Sequence, residues 1–329
     1  MTIMTRKLAQ WFLLLTLVAA SGCVTEISHR DPAGIAEARA VQFLKREVPA
    51  WSKNNGCFSC HNDGDGARAL YAAARYGYRI PARDLAATTG WVMQPNQWEH
   101  NKGDPGFSDQ RLANIQFAAS LLAALESGRA NARQALQEAA WKVGAHQDAD
   151  GAWHIEPGNA IGSPATYGTT LATYMALRTL KQAGASGTSE AIRKAEDWLR
   201  RERPNNVLAA ATQLLASSSD SGQSAGLKQE ESLLLIRTAQ SRDGGWGPYA
   251  DSPPEPFDTA VVLLALKEFR SAPGAANMIR RGRSYLADRQ NPDGSWPATT
   301  RPPGGNSYAQ RISTTGWATL ALLATRESP

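Results

Sequence analysis

Residues 54–64 read Asn-Asn-Gly-Cys-Phe-Ser-Cys-His-Asn-Asp-Gly and hold two of the three cysteines in 329 residues. Cys57 and Cys60 are three apart, and His61 follows directly. This spacing suits covalent haem attachment. Two thiols on a helical turn can meet the haem vinyl groups while the adjacent imidazole reaches the iron, with Met93 or His100 as a sixth ligand. The same pair could instead form a disulfide, which would close a very short loop and restrict the unfolded chain little. It could also be a pair of buried thiols. Zinc is not expected, because one Cys pair and one His leave the site a ligand short unless His100 joins.

The compartment bears on the choice. Arg6 and Lys7 precede Trp11–Ala20, an uncharged run long enough for a signal-peptide core and too short for a comfortable membrane span. Ala20-Ser21-Gly22-Cys23 then resembles a bacterial lipobox, although Ala20 stands where Leu is usual. The expected layout is a leader over 1–22, lipidation at Cys23, a tether over 23–33 and a domain over 34–329. That places the chain in the bacterial cell envelope, facing the periplasm and anchored to a membrane, with the outer membrane favoured. Thiol pairs in such a compartment do not usually stay reduced.

Composition narrows the class. Removing residues 1–22 takes two positive charges and no negative ones, so the formal charge of +5 becomes +3. Without a Lys/Arg cluster this excludes a nucleic-acid protein. Alanine, leucine and charged residues dominate, which is a helical composition.

The helices repeat. Gln147-Asp-Ala-Asp-Gly151-Ala-Trp153, Gln240-Ser-Arg-Asp-Gly244-Gly-Trp246 and Gln290-Asn-Pro-Asp-Gly294-Ser-Trp296 share Gln, Asp-Gly and Trp at fixed offsets. Each follows one helical pattern and leads through a loop into another. Asp-Gly suits a tight turn, Trp can plug the helix end, and Gln can satisfy its backbone groups. Counting helix pairs in both directions predicts six pairs, twelve helices, which must pack side by side to bury their faces.

These stretches resemble the QW motifs of squalene–hopene cyclases, oxidosqualene cyclases and related prenyltransferase-like proteins. The resemblance implies an all-α fold, the α6/α6 toroid, in which inner helices line a cavity. It also bears on activity. Squalene–hopene cyclases carry Asp-x-Asp-Asp-Thr-Ala, whose middle Asp protonates the substrate. Here Glu255-Pro-Phe257-Asp258-Thr-Ala places Phe257 at the donor position, so a conventional squalene cyclase is not expected. Asp258 remains a weak catalytic candidate, with capping its helix as the plainer role. His154, Tyr167, Tyr174, Tyr249 and Phe257 are possible cavity-wall residues, each more simply read as core or loop.

Two functions compete on this reading. One is an exported redox or electron-transfer protein carrying haem c on a toroid, with a redox partner. The other is a non-catalytic module for a small apolar ligand or a protein partner, with the Cys pair as a disulfide. A separate cytochrome-like domain over 36–128 is a rival layout for the first third.

Overall fold

The computed structural model describes residues 31–101, 109–155, 161–218 and 223–326. Helix α1 (Pro32–Asn55) starts where sequence signals demand it: Asp31 accepts a hydrogen bond from the Ala33 N–H, Pro32 fills the first position, and Gly56 closes the helix at φ 64°. The domain therefore begins two residues before the predicted boundary at 34. The leader and Cys23 lie outside the described residues.

Six helix pairs follow one another around a ring. The outer members are α1, α3 (Ala86–Val92), α5 (Arg133–Gly144), α7 (Ser189–Arg201), α9 (Gln223–Ala239) and α11 (Ala275–Asp288). The inner members are α2 (Ala67–Arg75), α4 (Gln110–Glu126), α6 (Gly168–Ala183), α8 (Val207–Ser217), α10 (Pro256–Glu268) and α12 (Tyr308–Ala324). The split follows amphipathicity. Helix α7 is charged on one face and buries Ala195, Trp198 and Leu199, whereas α10 is buried nearly all round. The fold is the all-α toroid, with the pairing read from the sequence.

Ring closure joins the last pair to the first. Gln290 Nε2 donates to the Ala36 carbonyl at 2.7 Å. The buried Arg283 donates to the Leu322 carbonyl, to Thr325 Oγ1 and to Asp31 Oδ2. Helix α12 packs on α1 and α2, so residues 36–128 belong to the ring and do not form a separate cytochrome-like domain.

Two boundaries differ from the sequence reading. The first inner helix is preceded by a π-helical turn, Cys60–Gly66. Helix α12 starts at Tyr308, ahead of the apolar run of the last helix, because the Ser307 hydroxyl caps it by accepting from the Gln310 N–H.

Candidate active site

The repeated turns hold the inner helices in place. In all three, Trp donates its indole N–H to a carbonyl near the end of the preceding outer helix: Trp153 to Val143 at 2.8 Å, Trp246 to Ile236 at 2.7 Å and Trp296 to Leu286 at 2.7 Å. Gln spans the same turn and the next outer helix. Gln240 donates to the carbonyls of Gly244 and Met278, and Gln147 to those of Gly151 and Ala191. The glycines are obligatory. Gly244 has φ 93°, and a Cβ there would lie 2.5 Å from the Arg281 carbonyl oxygen. A Thr hydroxyl on the following inner helix then accepts from the Trp backbone N–H, as Thr259 does from Trp246 at 2.9 Å.

The first pair has the π-turn at the corresponding place. Ser59 accepts at its hydroxyl from the His61 N–H and at its carbonyl from the Asp63 N–H, while Asp63 Oδ2 accepts from the Ser59 N–H. The wide turn sends two nearby carboxyls in different directions. Asp63 turns to α3 and accepts from the Thr88 hydroxyl at 2.6 Å. Burial pushes its pKa up to about 7, against the opposing bonds from Thr88 and Ser59. Asp65 turns to α4 and α6, where it accepts from Gln116 Nε2 at 2.8 Å and from the Tyr167 hydroxyl. Both of its oxygens are thereby taken.

Tyr167 is the non-glycine residue with positive φ among the described residues, at 57°. Such a backbone is costly and persists only where its surroundings over-determine it. Here it aims the fully buried ring into the middle of the toroid. There Tyr167 and Phe257 each meet Trp317 edge-on, with centroids 5.5 and 5.6 Å apart. The Arg68 guanidinium lies 4.0 Å from the Trp317 ring centroid and 3.8 Å from Asp65.

Asp258 lies beside this group, in the first turn of α10 and fully buried. It does not cap the helix, whose flanking residue is Glu255. Its Oδ2 accepts from Arg301 Nη2 at 2.7 Å, and Arg301 in turn binds Glu255 at 2.6 Å. Its Oδ1 is buried with no hydrogen-bond partner. Burial, which the Arg301 charge opposes, pushes the Asp258 pKa up to about 7.

A cavity of about 270 Å³ opens at the C-terminal ends of the inner helices, and all six contribute to its lining. Arg68 and Trp317 belong to that lining, with Tyr174 and Leu264; Arg75 and Arg178 both pair with Glu126 there. Asp258 and Asp65 do not line it. Asp65 is one side chain removed, beside Arg68, and Asp258 follows Phe257, which meets the lining residue Trp317.

Of the wall candidates, the structure brings together Tyr167, Tyr174 and Phe257. His154 pairs at the surface with Asp150 at 2.9 Å, and Tyr249 is 44% exposed. Asp63, Asp65, Arg68, Trp317 and Arg301 were not singled out by the sequence. The Asp63-Gly-Asp65 run with Arg68 three residues later is a usable signal, one residue past Cys-x-x-Cys-His.

That motif leads into the π-turn. Cys57 and Cys60 are buried, and His61 Nδ1 bonds Ser313 Oγ at 2.8 Å. Burial works against a charged His61, but Cys60 and Asp65 outweigh it and raise the pKa. The π-turn is wedged into the ring: a Cβ on Gly64 would lie 3.0 Å from Gln116, and one on Gly66 3.0 Å from Val48. Met93 packs partly buried at the end of α3, and His100 is exposed.

The fold defines the class first: this is the toroid of terpenoid cyclases and prenyltransferase-like proteins. No family model matches the chain. Among solved structures, the type II terpene cyclase MstE from Scytonema, as a Tyr-to-Phe variant, has a TM-score of 0.56 at 13% identity, covering 89% of this chain and 96% of that one. A protein from Actinoplanes has a TM-score of 0.57 at 16% identity, covering 89% and 100%. A curated relative, drimenyl diphosphate synthase from Streptomyces showdoensis, is 32% identical over 99 residues. That match spans 29% of this chain and 18% of the relative. These likenesses correct the redox reading. MstE is a type II terpene cyclase and the curated relative a drimenyl diphosphate synthase, and neither is an electron-transfer protein or a non-catalytic module.

Proposed function

We propose that the chain converts an isoprenoid by protonating it, the chemistry that the name type II terpene cyclase implies for its structural neighbours. The observation that carries this reading is Asp258. A general acid needs a proton at working pH and an oxygen free to deliver it. A pKa of about 7 supplies the proton, and the unpartnered Oδ1 supplies the oxygen. Arg301 holds the other oxygen, and so orients the acid.

Transfer of that proton to a terminal alkene leaves a tertiary carbocation and an Asp258 carboxylate. The substrate's own double bonds close the rings, and the last cation loses a proton to water, so the product is an isomer of the substrate. Positive charge in the middle of the toroid meets the rings of Tyr167, Phe257 and Trp317, which attract cations through their faces. Arg68 already uses one such face. Asp65 adds a fixed negative charge. Phe257 meets Trp317, which lines the cavity, and an alkene that reaches Oδ1 must pass beyond that lining.

Structures of MstE are described with geranylgeranyl dihydroxybenzoate as substrate and with an aspartate, a tyrosine or an arginine substituted. Asp65, Tyr167 and Arg68 meet here as the same three residue types, which supports a shared kind of chemistry. The cavity lies just below the ~300–1,000 Å³ usual for ligand pockets, which favours a short isoprenoid chain.

The test is incubation of the purified full-length chain with linear farnesyl and geranylgeranyl substrates bearing carboxylate or diphosphate heads. Gas chromatography with mass detection should show products of unchanged mass and shifted retention, absent with Asp258→Asn. Equal product from that variant, or none from any of these substrates, overturns the reading.

A further inference from the structure

Arg68 is 4% exposed, yet its Nε and Nη2 have no hydrogen-bond partner. Its contacts are a weak one from Nη1 to the Met175 sulfur at 3.8 Å, the Trp317 face, and Asp65 at 3.8 Å, which balances its charge without a hydrogen bond. Buried guanidinium donors are normally satisfied, so two orphans on one side chain call for an acceptor. Nε and Nη2 form one edge of the planar fork, the edge that takes a carboxylate through two parallel bonds. Arg68 lines the central cavity, as does Tyr174, whose hydroxyl is engaged in no hydrogen bond among the described residues. Two unused donors of Arg68 thus lie buried in the cavity wall, and Tyr174 adds a third beside them.

Charge decides which anion fits. Arg68, Arg75, Arg178 and Lys267 stand against Asp65, Glu126 and Glu268, which leaves one positive charge in excess. One excess charge matches a monoanion. A diphosphate would bring further charges that need divalent cations, and among the described residues no cluster of three or more His, Cys, Asp or Glu could hold one.

We propose that Arg68 and Tyr174 form a carboxylate-binding subsite, and that the isoprenoid acted on here carries its carboxylate in this vestibule. Arg68 Nε and Nη2 bind its two oxygens, Tyr174 donates a third bond, and the chain runs past Trp317 toward Phe257 and Asp258. The subsite rests on the isoprenoid reading for the tail and on this geometry for the head.

Calorimetric titration of the full-length chain tests it, with farnesoic acid, its methyl ester and farnesyl diphosphate as probes. The acid should bind about tenfold or more tighter than the ester, since the ester cannot accept charge-assisted bonds. Arg68→Lys should lose that preference by keeping the charge and losing the fork. Tyr174→Phe, which leaves the Arg68–Asp65 pair intact, should weaken the acid severalfold and the ester not at all. Equal affinity for acid and ester, tighter binding of the diphosphate, or an unchanged acid preference in both variants overturns the subsite. Acid binding through Arg68 without any cyclised product would keep the subsite and sink the protonation chemistry. Cyclised product with no head-group preference would do the reverse.

Discussion

Asp258 and Arg301 meet at 2.7 Å through only one of the two carboxyl oxygens, and the other is buried and unpaired. A structural ion pair would gain by using both oxygens, because the fork of Arg matches them. Glu255 takes the second arm of Arg301 instead. The arrangement leaves Asp258 able to hold a proton.

Turnover should fall as pH rises through about 7, because that is where Asp258 gives up the proton the reaction consumes. Asp258→Asn should be inactive at every pH while melting at or near the wild-type temperature. Activity that rises steadily from pH 6 to about 9 would exclude Asp258 as the acid.

Asp63 and Asp258 both have folded-state pKa values of about 7, above the ~3.9 of an unfolded Asp. Between about pH 4 and 7 the folded chain holds protons that the unfolded chain has lost, so stability declines as pH rises through that window. Urea melts at several pH values should show this decline. The double variant with Asn at both positions should show a shallower one.

Gly244→Ala places a Cβ 2.5 Å from a carbonyl oxygen at φ 93°. The expected loss is on the order of 2 kcal/mol or more, roughly 4 °C or more in Tm. Gly77→Ala, at φ 88° with open space around it, should lose less, because it bears backbone strain alone. Equal losses would mean that the close approach to Arg281 is unimportant.

We propose membrane attachment through Cys23, on the ground of the Ala-Ser-Gly-Cys run after an apolar stretch. Acyl chains at that residue would hold the chain durably on a membrane. Cys23→Ser should move the chain to the soluble fraction or block its maturation. Wild type recovered without lipid mass would remove the anchor.

The fold was legible because it is written in local repeats. Gln240, Gly244 and Trp246 satisfy a turn and a helix end within a few residues, and the same solution recurs around Gln147 and Gln290. Helix pairing then follows from the need to bury two apolar faces. Helix starts were less legible: Ser307 caps α12 although the apolar run begins later.

The site was legible only in part. Tyr167, Tyr174 and Phe257 could be named from their places near the Trp loops, and Asp258 from the motif resemblance, but their roles could not. Asp258 looks like a cap in sequence, and it became a candidate acid only when Arg301, 43 residues away, took one oxygen and burial raised its pKa. Cys57, Cys60 and His61 have a spacing that suits haem, but spacing describes the segment and not the room around it. Tertiary structure packs the π-turn against Gln116 and Val48. Asp65, Arg68, Tyr167 and Trp317 come from three separate helix pairs and meet only when the ring closes. The sequence by itself determined the repeating helix pairs, because turns and apolar periodicity act over short stretches of chain. Tertiary structure alone decided which carboxyl holds a proton and which cation lacks a partner, because burial and electrostatics depend on neighbours that the chain order keeps far apart.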